Sequence, residues 1–344
     1  MTQEAMGSAV GILGTGTWGT ALARMLAING HQVTAWSPIS AEIETLSKTR
    51  KHPKLPGVEI PASIRFTEKI EEACRDKHVV LFAVPSIFVR ETAAKAKPFI
   101  KDGQIIADAG KGIEADTLYS LTKVIQDELS QGNEPKTVRL VALSGPTHAE
   151  EVARDMPTTI VAASDDLKAA ETVQDIFMNT CMRVYTNEDI RGVELCGALK
   201  NIIALACGIA GGLGYGDNTR AALITRGMAE ITRLGIAMGC QPRTFSSLAG
   251  IGDLIVTATS AHSRNNRAGT LMGQGASVKE AVEKVGMVVE GLNALPAAVR
   301  LAEKHQVDMP IIRAVDAIVA GRVSPADAVN ALMQREKKHE FGDQ

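Results

Sequence analysis

The turn Gly14-Thr15-Gly16-Thr17-Trp18-Gly19 constrains this chain more than any other feature. It follows an apolar run at residues 9–13 and leads into residues 18–29, which read as a helix. In such a strand–turn–helix setting each glycine has a task. The first permits the tight turn, the second lets backbone approach a pyrophosphate, and the third lets helix pack on strand. Unpaired N–H groups at the helix start then face the anion. Taken alone, the motif is also compatible with a glycine-rich structural turn. The regular alternation that follows favours a dinucleotide site.

Residues 9–13, 32–36, 78–84, 104–107, 139–143 and 159–163 read as short apolar strands. Helical stretches such as 18–29, 87–96 and 116–129 lie between them. This order predicts a mostly parallel, doubly wound sheet with helices on both faces. The texture changes near residues 186–191. From there to about residue 333 no strand is evident. Ala221, Ile224, Met228, Ile231 and Leu234 instead recur at helical spacing. Pro242, Pro296, Pro310 and Pro325 stand where helices could begin. A chain of 344 residues suits two domains. The expectation is an α/β Rossmann domain over 1–189, an all-α domain over 190–334, and a charged, disordered tail over 335–344.

The net charge of -2 and the 3% aromatic content give no support to a nucleic-acid partner. Residues 196–214 are the most membrane-like stretch, but they contain Lys200 and several glycines. A buried helix is the expectation there, with no integral membrane contact. Residues 1–10 lack the pattern of a signal peptide. Five cysteines without a CxxC pair suit a reduced, cytoplasmic setting. The seven histidines form no metal-ligand pair, so no metal is expected.

Loops that follow the strands are where ligands bind in such sheets. Val84-Pro85-Ser86 could pass the nicotinamide ribose, or simply end a strand. Lys111, between Gly110 and Gly112, could approach an anion or stay in solvent. Gly145 and Thr147, in Ser144-Gly145-Pro146-Thr147-His148-Ala149, could line the ligand or form a plain loop. The sharpest candidate is Lys200, alone in an apolar helix. Burial lowers a lysine's pKa toward the range of a general base. A dehydrogenase needs such a group. The alternative is a snorkelling lysine or one paired with Glu194. Asp253 and Thr257, four apart, share a face if helical. Asp253 could orient the lysine or serve as a helix cap. Ser263, Arg264 and Asn265 offer a planar cationic fork and neutral donors suited to phosphate. At the end of the second strand stand Trp36-Ser37-Pro38, neither acid nor base, with Glu42 further on. Ser37 could hydrogen-bond either dinucleotide, so these residues do not decide NAD against NADP.

Together these pieces resemble the bacterial-type NAD(P)-dependent sn-glycerol-3-phosphate dehydrogenases. The resemblance runs from Val10 to about Met333. It rests on the runs at 14–20, 111–114, 144–153, 197–201, 212–218, 221–227, 248–254 and 263–265. It implies that Lys200 is the proton acceptor in hydride exchange between NAD(P) and glycerol 3-phosphate or dihydroxyacetone phosphate. Lys111, Gly145, Thr147, Asp253, Ser263, Arg264 and Asn265 match substrate positions. Thr17, Trp18, Ala149, Arg264, Val288 and Glu290 match cofactor contacts, beside Gly14, Gly16, Gly19, Ser37 and Lys111. The resemblance also implies a helical domain like that of 6-phosphogluconate dehydrogenase. A cytoplasmic homodimer that feeds phospholipid synthesis is implied as well. Pro38 stands where the family often has an Arg that helps NADPH binding. Gly211 replaces a common Asp, and Asn266 interrupts a Ser-Arg-Asn-Arg run. A related dehydrogenase of the same architecture, or a non-catalytic dinucleotide sensor, are the rival readings.

Overall fold

The computed structural model describes residues 7–337, 339 and 340. Eight strands form one sheet: β1 Ala9–Leu13, β2 Gln32–Trp36, β3 Arg65–Thr67, β4 Val79–Phe82, β5 Ile105–Asp108, β6 Arg139–Ser144, β7 Thr158–Ala163 and β8 Met182–Asn187. Their spatial order is β3-β2-β1-β4-β5-β6-β7-β8. All pairings are parallel except β6 with β7. The order reverses between β1 and β4, where Leu13 lies between Trp36 and Phe82. A sheet of this kind binds its ligand at that reversal, beyond the carboxyl ends of the strands.

Helices α1 Thr17–Ile28, α2 Ser40–Thr49, α3 Ile70–Cys74, α4 Val89–Ala96, α5 Leu121–Ser130, α6 Ala149–Val152 and α7 Leu167–Phe177 accompany the sheet. The strand period of two divides the core. Val10, Ile12, Val79 and Leu81 join one apolar cluster, while Leu13, Val80 and Phe82 join another. With both faces covered, β4 and β5 are buried at every residue.

Helices α8 Ile190–Gly212, α9 Asp217–Ala237, α10 Pro242–Phe245, α11 Asp253–Thr259, α12 Arg264–Gly273, α13 Val278–Val285, α14 Glu290–Lys304, α15 Pro310–Val319 and α16 Pro325–Met333 make up the rest. By length and composition α8 could cross a membrane, but it is buried inside the protein. Every residue from Gly192 to Ala210 is enclosed. Its neighbour α12 lies backbone to backbone against it. A Cβ on Gly208 would stand 2.1 Å from the Asn266 carbonyl oxygen, and one on Gly269 2.1 Å from that of Leu205.

The strands expected at 9–13 and 32–36 form with those bounds, and the other four expected strands differ by a few residues. β3 and β8 escape the sequence reading. β3 has three residues and begins with an arginine. β8 alternates buried Met182 and Val184 with exposed Arg183 and Tyr185, as a strand at the sheet's edge does. The helix expected at 116–129 begins only at Leu121. Before it, Leu118 is left-handed (φ 62°) and Ile113 bridges Ser120. Pro242, Pro310 and Pro325 open helices, but Pro296 lies inside α14. That helix starts six residues earlier because Glu290 and Gly291 are anchored by other elements. Pro296 is exposed, so the missing hydrogen bond falls on the solvent side. Of the tail expected at 335–344, residues 338 and 341–344 lie outside the described residues, as do residues 1–6. Within the described part, Arg335 donates to Asp308 and Arg226 to the Glu340 carbonyl.

The glycine contact between α8 and α12 generates a test. Gly269→Ala places a methyl against backbone that cannot swing aside. Overpacking of this kind should cost about 1–3 kcal/mol, read as a lower Tm in thermal unfolding. An unchanged Tm would mean the two helices separate freely.

Candidate active site

The glycine turn is built as its sequence requires. Gly14 is left-handed at φ 119°, and its N–H donates to the Trp36 carbonyl at 2.8 Å. A Cβ there would meet the Ala83 carbonyl oxygen at 2.7 Å, and one on Gly19 would stand 2.0 Å from the Gly14 oxygen. By contrast, the space beside Gly16 is open, with no atom within 4 Å of a built Cβ. No side chain caps α1, and its first turn carries no acid. The Thr17 hydroxyl is buried without a hydrogen-bond partner among the described residues. An open surface, uncapped N–H groups and an orphaned hydroxyl fit a pyrophosphate. Trp18 packs on the sheet's core beside them.

A second contact joins the sheet to the helices. Glu290, opening α14, accepts from the Ser86 N–H at 3.1 Å and from the Ser86 hydroxyl at 2.5 Å. Ser86 follows β4, in the segment expected near the nicotinamide ribose. Val288 lies two residues before Glu290 and is half-buried. Ala149 opens the short helix α6.

Between the sheet and the helices lies a carboxylate shared by two lysines. Asp253 is fully buried in the first turn of α11. Its Oδ1 accepts from Lys200 Nζ at 2.5 Å, and its Oδ2 from Lys111 Nζ at 2.6 Å. Lys111 comes from the loop after β5 and also donates to the Gly145 carbonyl at 3.1 Å. Lys200 comes from the middle of α8 and is only 4% exposed. It also donates to the Thr257 hydroxyl at 2.5 Å, and that hydroxyl donates to the Asp253 carbonyl at 2.7 Å. Burial dominates the titration of Lys200. Its pKa is pushed down to about 7, although the charge of Asp253 opposes the shift; Lys111 assists it. The ammonium and the free amine are therefore both accessible near neutral pH. The pairing with Glu194 does not occur. Glu194 instead accepts from the Thr122 N–H and from the hydroxyls of Ser120 and Thr122.

The expected phosphate corner opens α12. The Ser263 hydroxyl caps that helix by accepting from the Asn266 N–H at 3.2 Å. Asn265 donates to the side chain of Asn201 at 2.9 Å and accepts from the Gly291 N–H at 2.9 Å. Since Asn201 follows Lys200, this bond ties the corner to the lysine. Arg264 has no hydrogen bond or ion pair among the described residues, so its guanidinium is free for an anion. The Thr147 hydroxyl donates to the Gly145 carbonyl at 3.2 Å. The His148 ring sits 5.9 Å from that of His262, and burial pushes the His148 pKa down.

Lys111, Gly145, Lys200 and Asp253 thus meet directly, although they come from four segments. Gly14, Gly16, Thr17, Trp18 and Gly19 form a separate turn. Ser37 follows β2 and donates its hydroxyl to Glu42 at 2.9 Å. Thr257 is a further member of the lysine cluster, signalled only by its spacing of four from Asp253. Asn201 had no signal beyond its place next to Lys200.

A Rossmann sheet with an open glycine turn, joined through Lys111 and Asp253 to a buried lysine whose pKa is lowered to about 7, is the layout of a nicotinamide-dependent dehydrogenase. Comparison with known proteins narrows the class. The family profile described as NAD-dependent glycerol-3-phosphate dehydrogenase N-terminus matches residues 9–170, and its C-terminus counterpart matches residues 189–330. A Lactobacillus delbrueckii subsp. bulgaricus protein named NAD(P)+ glycerol-3-phosphate dehydrogenase 2 is 61% identical, over 96% of this chain and 98% of its own. A Bacillus subtilis protein named NAD(P)+ glycerol-3-phosphate dehydrogenase is 48% identical, over 97% and 96%. The crystal structure of the Coxiella burnetii glycerol-3-phosphate dehydrogenase superposes with a TM-score of 0.90 at 36% identity, over 96% of this chain and 100% of that one. The chain belongs to the NAD-dependent glycerol-3-phosphate dehydrogenase family.

The shared carboxylate predicts a titration change. Asp253→Asn removes the charge that holds the Lys200 pKa up, so that pKa should fall below about 7. NMR of labelled lysine side chains reads it directly. A pKa that stays or rises would show that Asp253 does not control this lysine.

Proposed function

We propose that the chain interconverts sn-glycerol 3-phosphate and dihydroxyacetone phosphate with NAD(H) or NADP(H). One observation carries the reading: Lys200 is buried, shares Asp253 with Lys111, and has its pKa lowered to about 7. In oxidation the free amine of Lys200 takes the proton of the C2 hydroxyl. In reduction its ammonium returns that proton to the C2 oxygen. The bound nicotinamide supplies or accepts the hydride. Asp253 and Lys111 set the charge around Lys200 and hold the substrate with Gly145 and Thr147. Arg264, Ser263 and Asn265 hold the phosphate, whose binding energy orients the distant C2 carbon. Gly14, Gly16, Thr17, Trp18, Gly19, Ser37, Ala149, Val288 and Glu290 hold the dinucleotide, with Lys111 and Arg264 reaching it from the substrate side.

The proposal assigns residues 1–189 to the dinucleotide and 190–334 to the substrate. It includes a homodimer in the cytoplasm, without integral membrane contact, whose product supplies the glycerol backbone of phospholipids. The names of the bacterial relatives support the reaction, and the burial of α8 inside the protein supports the lack of integral membrane contact.

Purified protein should oxidise NADH or NADPH when dihydroxyacetone phosphate is added. Lys200→Ala should lower kcat by about a hundred- to ten-thousandfold while the dinucleotide Kd stays near wild type. Near-normal turnover in that variant would make Lys200 structural. The pH dependence has a definite sign. Oxidation needs the neutral amine, so its kcat/KM should rise as pH passes through about 7. Reduction needs the ammonium and should decline over the same interval. Steady-state rates in both directions from pH 5 to 9 test the pair. Parallel profiles would count against Lys200 as the proton carrier.

A further inference from the structure

The end of β2 carries Trp36, Ser37 and Pro38. In sheets of this kind an acid at that end holds the ribose 2′-hydroxyl of NAD, and an Arg there accepts the 2′-phosphate of NADP. Neither stands at that point of the chain. The fold brings a carboxylate back to it from the first turn of α2.

Glu42 Oε2 accepts from the Ser37 hydroxyl at 2.9 Å and from the Thr15 hydroxyl at 3.0 Å. Thr15 lies between Gly14 and Gly16, while Ser37 follows the last residue of β2. The carboxylate therefore spans the gap between the dinucleotide turn and the strand end. Both hydroxyls that hold it are buried, each 2% exposed. The Ser37 oxygen also accepts from the Ile39 N–H at 3.2 Å, which fixes the direction of its donated hydrogen. Glu42 Oε1 has no donor among the described residues. The space next to Gly16, one residue after Thr15, is open.

We propose that Glu42 accepts the adenosine ribose 2′-hydroxyl and makes the site selective for NAD(H) over NADP(H). The proposal rests on the dehydrogenase reading above and sharpens its cofactor. A 2′-hydroxyl is a neutral donor suited to the free oxygen of a fixed carboxylate. A 2′-phosphate has no hydrogen to give at neutral pH and adds like charge beside Glu42. Three cations of the same stretch of chain, Lys48, Arg50 and Lys54, are held by other groups. The Arg50 guanidinium donates to the carbonyls of Pro61 and Ile64. Lys48 pairs with Glu44. Lys54 Nζ reaches toward the Gly286 carbonyl at 3.5 Å. Burial pushes the His52 pKa down, against the charge of Glu42. Ser37 is then a positioning residue that orients Glu42.

Equilibrium binding of NADH and of NADPH to the full chain, by calorimetry without substrate, tests the assignment. Wild type should bind NADH about tenfold or more tighter than NADPH, the scale of one charge-assisted hydrogen bond. Glu42→Gln should weaken NADH about tenfold and narrow the ratio, while Glu42→Lys should favour NADPH. NADPH bound as tightly as NADH by wild type would overturn the inference. So would a ratio that neither substitution moves. Binding of neither dinucleotide by folded protein is a different result: it would bring down the dehydrogenase reading, and the inference with it.

Discussion

The bond between Asp253 and two lysines is the contact on which the site depends. Lys111 is carried by the sheet, and Lys200 by the core helix of the bundle. One carboxylate therefore joins the two halves of the molecule. It also fixes the charge at their junction. A buried lysine without a counter-charge would be costly. With Asp253 beside it, the amine is retained in the interior at a pKa close to working pH. The arrangement that makes Lys200 tolerable is also the one that the proposed proton exchange requires.

The geometry around that contact follows from α8. The helix is enclosed along nearly its whole length, so its side chains cannot drift. Its glycines let α12 approach at backbone distance, bringing Ser263, Arg264 and Asn265 along. Asn265 then bridges Asn201 to the start of α14, and Glu290 on α14 holds Ser86 beyond β4. Hydrogen bonds and adjacent residues thus connect the segment around Lys200 with the loop after β4. Gly211, where the family commonly has Asp, is exposed at the end of α8, and its position has open space. Asn266, which interrupts the family's basic run, donates to the Ala258 carbonyl and so ties α12 to α11.

Much of this was legible in the sequence because local rules dominate it. The glycine turn needs residues that are adjacent in the chain. The strands β1, β2, β4 and β5 are short apolar runs because both of their faces are covered. Lys200 stands out because a cation in an apolar helix is rare. The less legible parts depend on neighbours. β8 reads as a strand only when the edge of the sheet is known. Pro296 reads as a helix start until the anchoring of Glu290 by Ser86 shows that the helix has begun already. The Glu194 partner of Lys200 was plausible by proximity along the chain, yet Glu194 turns to the start of α5.

The sequence by itself determined the dinucleotide fold, the helical second half, and the residue types that could carry proton transfer and phosphate binding. These are short-range properties of spacing, glycine placement and hydrophobic period. The tertiary structure alone decided which groups meet. Lys111, Gly145, Lys200 and Asp253 are separated by long stretches of chain, and no pattern in that chain encodes their contact. Glu42 shows the same division on a smaller scale. Five residues of sequence carry it past the end of β2, and the turn into α2 returns its carboxylate to Ser37 and Thr15. Chain order records distance along the backbone, whereas hydrogen bonds and pKa values depend on distance through space.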